Sequence, residues 1–229
     1  MGVPAGDGAG RYGIRVDVIP SSAELNGYDL VIAPILHVVP AALATRLTAY
    51  AEGGGHLVTT YFSGIVDEND HVWLEGYPGP LRELLGIRIE EFAPLLDGER
   101  AELDNGLTGT LWTDRITLTA PEVEVLASYR GGEPAITRRP AGAGSAAYVS
   151  TRLGKDGLAP LLAELAGRAG VGSELPVELR GRVELAVRGE FRFLINRTDE
   201  QIPLPDLGGA PLVGRGDLLY PRGVTVLRG

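Results

Sequence analysis

The sequence predicts a doubly wound α/β sheet followed by a small all-β sandwich, and three observations carry that prediction. Two short apolar runs, residues 28–33 and 56–62, flank a stretch with helical spacing, the strand–helix–strand order of a parallel layer. A second stretch with helical spacing spans residues 158–169. Beyond Pro176 only short strand-like runs remain, separated by turns rich in Gly and Pro.

Residues 1–13 are rich in Gly and Ala without periodicity, which predicts a disordered lead. The fold is expected to start at Ile14, with one domain over 14–172 and a second over 176–229. Residues 14–19 alternate apolar and polar at period two, a strand pattern. Residues 28–33 form an apolar run closed by Pro34, which suits a strand buried on both faces. Pro40 opens a helix whose stripe is Leu43, Leu47, Tyr50 and Ala51, and Gly53, Gly54 and Gly55 stop it. Residues 56–62 read as the next strand. The polar, acidic stretch 63–75 leaves its C-terminal end, the edge where open α/β sheets place their ligands.

Residues 80–85 then predict a short helix ended by Gly86, and residues 87–92 a strand with alternating faces. Further strands are expected at 116–119, 123–129, 135–139 and 146–151, the last two joined by a turn over 140–144, as antiparallel additions to the core. Asp156 is placed as N-cap of a helix with the stripe Leu158, Leu161, Leu162, Leu165 and Ala169, ended by Gly170 or Gly172. Strands at 183–187, 190–196, 202–204, 218–220 and 224–227 complete the second domain.

Composition removes several classes of function. With 21 Lys and Arg against 30 Asp and Glu the net charge is -9, which repels a phosphate backbone or an anionic bilayer, so neither nucleic acid nor membrane is an expected partner. No window approaches the roughly 20 apolar residues of a membrane span, and the opening residues lack the apolar core of a signal peptide, so the chain reads as cytoplasmic. The absence of cysteine excludes disulfides, thiolate metal sites and any cysteine nucleophile. No cofactor or metal is expected.

The densest polar cluster is Asp67, Glu68, Asn69, Asp70 and His71. It lacks the alternate-position ligands and terminal Glu of a calcium loop, and glycosidase carboxylate pairs normally come from separate elements. Its simplest role is a tight turn whose Asp and Asn side chains satisfy backbone donors, facing a neighbouring chain. Residues 60–64 stand where an amidotransferase-type fold keeps its nucleophile elbow. The nucleophile position is Phe62, which cannot attack a carbonyl, and the adjacent Ser63 lacks the preceding glycine of a serine elbow. His37 and His56 have no partner at ligand spacing and are expected to be structural, and the glycine clusters 53–55 and 142–144 are turns rather than phosphate loops. Trp73, Tyr77 and Trp112 have faces that can stack on a sugar or anchor an interface; for Trp73 and Tyr77, beside the acidic loop, the interface is favoured.

The run Phe62-Ser-Gly-Ile-Val-Asp-Glu-Asn-Asp70, continuing through Gly76-Tyr-Pro-Gly79 and Leu81-Arg-Glu-Leu-Leu-Gly86, resembles the trimerisation domain of family 42 β-galactosidases. Tyr28-Asp-Leu-Val-Ile-Ala-Pro34, Gly132-Glu-Pro-Ala-Ile-Thr-Arg-Arg139 and Phe191-Arg-Phe-Leu-Ile-Asn196 extend the resemblance over nearly everything after residue 13. It implies an amidotransferase-like (flavodoxin-like) trimerisation domain and a C-terminal β domain, in a family whose catalytic glutamates lie on a preceding barrel. This chain has no eight-fold strand and helix series, so those glutamates have no counterpart here and no catalytic residue is assigned. The domain's expected first strand and helix are also missing, which leaves a sheet edge for another chain to cover. The implied role is non-catalytic assembly of a β-galactoside-cleaving enzyme, through a homo-oligomer, with a trimer favoured, or with a separately encoded barrel. The alternative is a sugar-binding or hydrolytic unit using Asp67, Glu68 or Asp70.

Overall fold

The computed structural model describes residues 13–229, so the expected lead lies outside the described residues except for Gly13. The chain divides into two compact units, residues 20–160 and residues up to 19 together with 161–229.

The 20–160 unit is built on a mixed five-stranded sheet. Strand β1 (Leu30–Ala33), helix α1 (Ala41–Glu52) and β2 (His56–Thr60) follow one another as the sequence predicts. β1 and β2 run parallel, Leu30 beside His56 to Ala33 beside Thr59. Leu43, Ala44, Leu47 and Ala51 form the buried stripe of α1. Pro40 stands just before the first turn, where its missing N–H costs no helical bond, and Gly53 follows the last. A short 3-10 turn and helix α2 (Arg82–Leu85) end at Gly86, whose φ of +64° is the left-handed conformation glycine adopts without strain.

Strands β3 (Ile87–Pro94), β4 (Ala101–Glu102), β5 (Thr108–Leu118), β6 (Glu124–Ser128), β7 (Pro134–Ala141), β8 (Gly144–Val149) and β9 (Thr151–Leu153) complete the unit. β8 pairs parallel with β2, and β7 and β6 are added antiparallel, giving the order β1-β2-β8-β7-β6. All six β8 residues are buried, as a central strand covered on both faces requires. β3, β5 and β4 form a separate antiparallel sheet, with β9 on β5.

In the second unit, β10 (Val183–Arg188), β11 (Phe191–Asn196), β13 (Ala210–Val213) and β15 (Val224–Arg228) form one sheet, and β12 (Ile202–Pro203) with β14 (Leu218–Leu219) another. Leu175, Leu179, Val183, Leu185, Leu194, Ile202, Leu204, Leu219 and Leu227 fill the core. Asn196 is buried and ties this region together: its amide nitrogen donates to the carbonyls of Glu200 and Tyr220, and its oxygen accepts from Thr198. Helix α3 (Lys155–Arg168) runs from one unit into the other.

Four expectations are corrected. Residues 14–19 form no strand, and Val18 is 85 % exposed: alternation supplies a face but not a partner to ladder with. Asp156 lies inside the first turn of α3 rather than at its N-cap, because the helix already begins at Lys155. The 140–144 turn shortens to Gly142 and Ala143, since β7 continues through Pro140 to Ala141. Proline is tolerated there because the β6 ladder reaches only Arg138, so no neighbour on that side asks Pro140 for an N–H. Finally, β5 begins at Thr108, well ahead of the expected 116, and β13 had no alternating pattern to announce it, all four of its residues being exposed.

Candidate functional site at the end of strand β2

The edge at which open α/β sheets place ligands is occupied here by Phe62. β2 ends at Thr60, and Phe62 adopts φ +62°, a left-handed conformation unfavourable for any residue with a Cβ. Hydrogen bonds around it hold the chain in this bend. The Thr60 hydroxyl accepts from the Ile35 N–H at 2.8 Å, the Ser63 hydroxyl accepts from the Leu36 N–H at 3.1 Å, and the Gly64 N–H donates to the Leu36 carbonyl at 2.9 Å. Ser63 is fully buried, and its oxygen serves as a backbone acceptor. No helix follows the bend. Instead Val66 bridges to Val38 and Val72, so among the described residues no helix N-terminus points at this bend, and Phe62 offers no nucleophilic atom.

Phe62 is one of five aromatic rings in contact. Its centroid lies 4.2 Å from Trp112, 5.6 Å from Tyr61 and 5.9 Å from Phe92. Phe92 is 5.2 Å from Trp112 and is stacked on Tyr77 at 4.7 Å with 16° between planes. Tyr61 is buried, whereas Phe62, Tyr77, Phe92 and Trp112 are half-buried. Register explains the gathering: Phe92 of β3 faces Asp114 of β5, and Trp112 lies two residues along the same face. The sequence had singled out Phe62, Tyr77 and Trp112 separately, and the structure brings them together. Trp73 has no ring contact with this group among the described residues. Its indole N–H donates to the Val39 carbonyl at 3.2 Å and its ring packs over Gly79, fixing the following loop.

Beneath the rings lies a group that sequence reading missed. Asp114 is 1 % exposed, accepting from the Trp112 indole N–H at 2.8 Å and from the Tyr148 hydroxyl at 2.7 Å. Burial raises its carboxyl pKa from 3.8 to about 6, against the lowering effect of both hydrogen bonds. Tyr148 is pushed well up, first by its burial and then by the Asp114 charge. The hydroxyl of Tyr129 meets that of Ser150 at 2.7 Å, and burial pushes Tyr129 up to about 12. Had Trp112 and Asp114 been read on one strand, their spacing of two would have placed both on one face.

The acidic loop is a turn held by Asp67. One Asp67 oxygen accepts from the N–H groups of Asn69 and His71 at 2.8 and 2.9 Å, and the other lies 3.6 Å from the His71 ring. The His71 and Asn69 amides hold the Asp67 carboxyl below its usual pKa. Glu68, Asn69 and Asp70 are exposed. His56 meets the Ser145 hydroxyl at 2.8 Å within the sheet, its pKa lowered chiefly by burial and then by Arg138. His37 contributes backbone groups to the bend, its carbonyl accepting from Ile65. The two glycine turns abut each other: a Cβ on Gly144 would strike the Gly55 carbonyl, and one on Gly142 the backbone of Glu52.

Residues 8–172 match the model of the β-galactosidase trimerisation domain. The chain belongs to this family. A β-galactosidase of Arthrobacter is 41 % identical over 81 % of the chain, and β-galactosidase BglY of Alicyclobacillus acidocaldarius 39 % identical over 95 %. The chain spans only about a third of the length of these relatives, 28 % and 35 % respectively. Among solved structures, the β-galactosidase of Bacillus circulans sp. alkalophilus superposes with a TM-score of 0.85 at 33 % identity, covering 97 % of this chain and 36 % of its own. That of the Antarctic haloarchaeon Halorubrum lacusprofundi gives 0.85 at 29 %, covering 98 % and 35 %. The chain thus matches the trimerisation-domain portion of family 42 β-galactosidases. No helix among the described residues is long and apolar enough to cross a membrane.

Proposed function

We propose that this chain is a non-catalytic assembly module that holds copies of a β-galactoside-hydrolysing enzyme together as a trimer. The observation that carries the reading is the elbow of β2: where an enzyme of this fold keeps its nucleophile, Phe62 heads a half-buried aromatic group instead. Aromatic side chains with part of their area still in water are the usual anchors of interfaces. Tyr77 is both part of this group and next to the acidic loop, so Asp67, Glu68, Asn69, Asp70 and Trp73 are taken as facing the neighbouring subunit. The use of the Asp67 carboxylate to close a turn weighs against the hydrolytic alternative.

On the same reading the sheet is amidotransferase-like, with the flavodoxin-like strand order. The trimerisation domain spans residues 14–172 and the β domain 176–229, a division supported by the extent of the family match. The partner is a second and third copy in preference to a separately encoded barrel, and the setting is cytoplasmic. The test is the solution mass of the purified chain by light scattering across a concentration series, with a nitrophenyl galactoside assay on the same sample. A trimer without turnover is expected. A monomer at high concentration would refute trimer assembly by this chain, and turnover lost on Glu68→Gln would move the function to the acidic loop.

A further inference from the structure

The arginines of the chain are almost all engaged, and the two that are not line the same groove. Among the described residues, every arginine but Arg100 and Arg152 has a guanidinium nitrogen in a hydrogen bond or an ion pair. Arg100 ends the loop between β3 and β4, Arg152 lies on β9, and both are exposed along a groove of about 390 Å3. A guanidinium is a planar fork of donors matched to a carboxylate, so two unengaged forks on one groove form a receptor for carboxylates.

Charge is not all the groove offers. Asp97 and Glu99 also line it, Glu99 accepting from the Leu96 N–H at 2.8 Å, and Leu96, 75 % exposed, supplies an apolar wall with Leu111. β5 slips its register against β9 between Thr110 and Thr113, and in that bulge Leu111 is held at φ +69°, a left-handed conformation costly for leucine. Its carbonyl accepts from the Leu95 N–H at 3.0 Å. A small anion would meet the two carboxylates and gain nothing from the leucines, whereas a polypeptide segment carrying both carboxylates and apolar side chains uses the whole groove. Such a segment stands on this chain. Glu68 and Asp70 are exposed, with no side-chain hydrogen bond or ion pair among the described residues, and Val72 and the 80 % exposed Leu74 follow them. The Asp67 carboxylate closes the turn, so the loop is set in shape before it meets a partner. Loop and groove flank the same aromatic group, the loop running on to Tyr77 and the groove's Leu111 adjoining Trp112.

We infer that the groove of Arg100 and Arg152 on one copy of this chain receives the loop 68–74 of the next, the arginines pairing with Glu68 and Asp70 and the groove leucines packing on Val72 and Leu74. This rests on the assembly reading proposed above and names the two surfaces that meet. A threefold ring is built from unlike patches, one on each side of every contact, and the loop and the groove are such a pair. With a net charge of -9, two copies repel as wholes, so a stable contact has to match opposite charges locally. Among the described residues these two guanidiniums are the ones left to do so.

The test begins with charge reversal, read by light scattering over a concentration series. Arg100→Glu with Arg152→Glu is expected to raise the concentration needed for half-assembly at least about tenfold, and adding Glu68→Arg and Asp70→Arg to the same chain is expected to restore it. Arg100→Gln with Arg152→Gln serves if the reversed chain fails to unfold cooperatively in urea. The chain has no cysteine, so single cysteines report the contact without background. Leu96→Cys and Leu74→Cys chains are expressed separately and together, oxidised, and resolved by mass without reductant. Disulfide-linked dimers are expected only from the co-expressed pair, because each variant alone carries its cysteine on one of two unlike patches. A trimer indifferent to the reversal, or linked dimers from either cysteine variant alone, would overturn the inference and leave the assembly reading standing; a monomer at every concentration would overturn both. Inorganic phosphate that binds the wild type but not the Arg→Gln chain in calorimetry, with a trimer indifferent to the reversal, would overturn it in favour of a small anion.

Discussion

Asp114 offers a measurement that tests the buried base of the aromatic group. Its carboxyl pKa is raised from 3.8 to about 6, so the folded protein binds this proton more tightly than the unfolded chain does. Below pH 4 both states are protonated and Asp114 is neutral in each. Between pH 4 and 6 the unfolded chain releases the proton while the folded one retains it, so stability falls as pH rises; above 6 the loss is complete. A rise of about two pKa units corresponds to about 3 kcal/mol at 1.36 kcal/mol per unit. Because Asp114 is almost fully buried, solvent screening gives no reason to discount this figure. Asp67, Asp199 and Asp217 act oppositely, their pKa values being lowered, so the raw pH profile mixes both directions. The difference between the wild type and Asp114→Asn isolates the term.

Asparagine cannot ionise, and it keeps one acceptor for either Trp112 or Tyr148 while turning an NH2 toward the other donor. That mismatch costs about 1–3 kcal/mol at any pH. The variant is therefore expected to be less stable than the wild type at pH 4, and equal to it or more stable at pH 7.5, with the stability difference moving by about 3 kcal/mol between them. Urea unfolding at half-unit pH steps, followed by Trp fluorescence, reads the difference directly. A wild-type-minus-variant difference that stays flat from pH 4 to 7 would show that Asp114 is not held in the environment described.

Gly144→Ala forces a Cβ into the Gly55 carbonyl where the two glycine turns meet, a backbone contact with no flexible side chain to yield, and is expected to destabilise the chain by more than about 2 kcal/mol in the same assay. At position 62, Ala and Gly both remove the ring, but only Gly relieves the left-handed conformation. Phe62→Gly should thus be about 1 kcal/mol more stable than Phe62→Ala, and equal stabilities would mean that the bend relaxes on substitution.

What was legible in the sequence was whatever depends on local pattern. The stripe of Leu43, Leu47 and Ala51 and its stop at Gly53 specify α1 by themselves, and Gly86 marks the end of α2. Phe62 could be placed just past the end of β2 because the apolar run before it marks where that strand ends. Asp114 could not be found, because its importance comes from β5 pairing with β3, which sets Phe92 opposite it, and from Tyr148 arriving on β8. The Thr-Gly-Thr opening of β5 has neither alternation nor strong strand composition, so the strand was read only from Ile116 onward. Residues 14–19 are the converse case: their pattern is clear, yet they form no strand, because local pattern does not encode which strand would lie beside them.

The bend after β2 is held although it carries no nucleophile. A left-handed Phe62 costs about 1–2 kcal/mol, and Thr60, Ser63 and Gly64 hold it there through bonds to residues 35 and 36. Ring contacts of about 0.5–1.5 kcal/mol each, with Trp112 nearest at 4.2 Å, offset that cost within the chain. They leave Phe62, Tyr77, Phe92 and Trp112 only half-covered. A flat partner surface can bury the rest at about 25 cal/mol per Å2 without moving the backbone. A sugar would also need polar groups converging on its hydroxyls, and the two carboxylates discussed above are already committed, Asp114 to Trp112 and Tyr148 and Asp67 to its own turn. On the proposed reading, the same rigidity that would aim a nucleophile in an enzyme here presents an aromatic anchor to a neighbouring subunit.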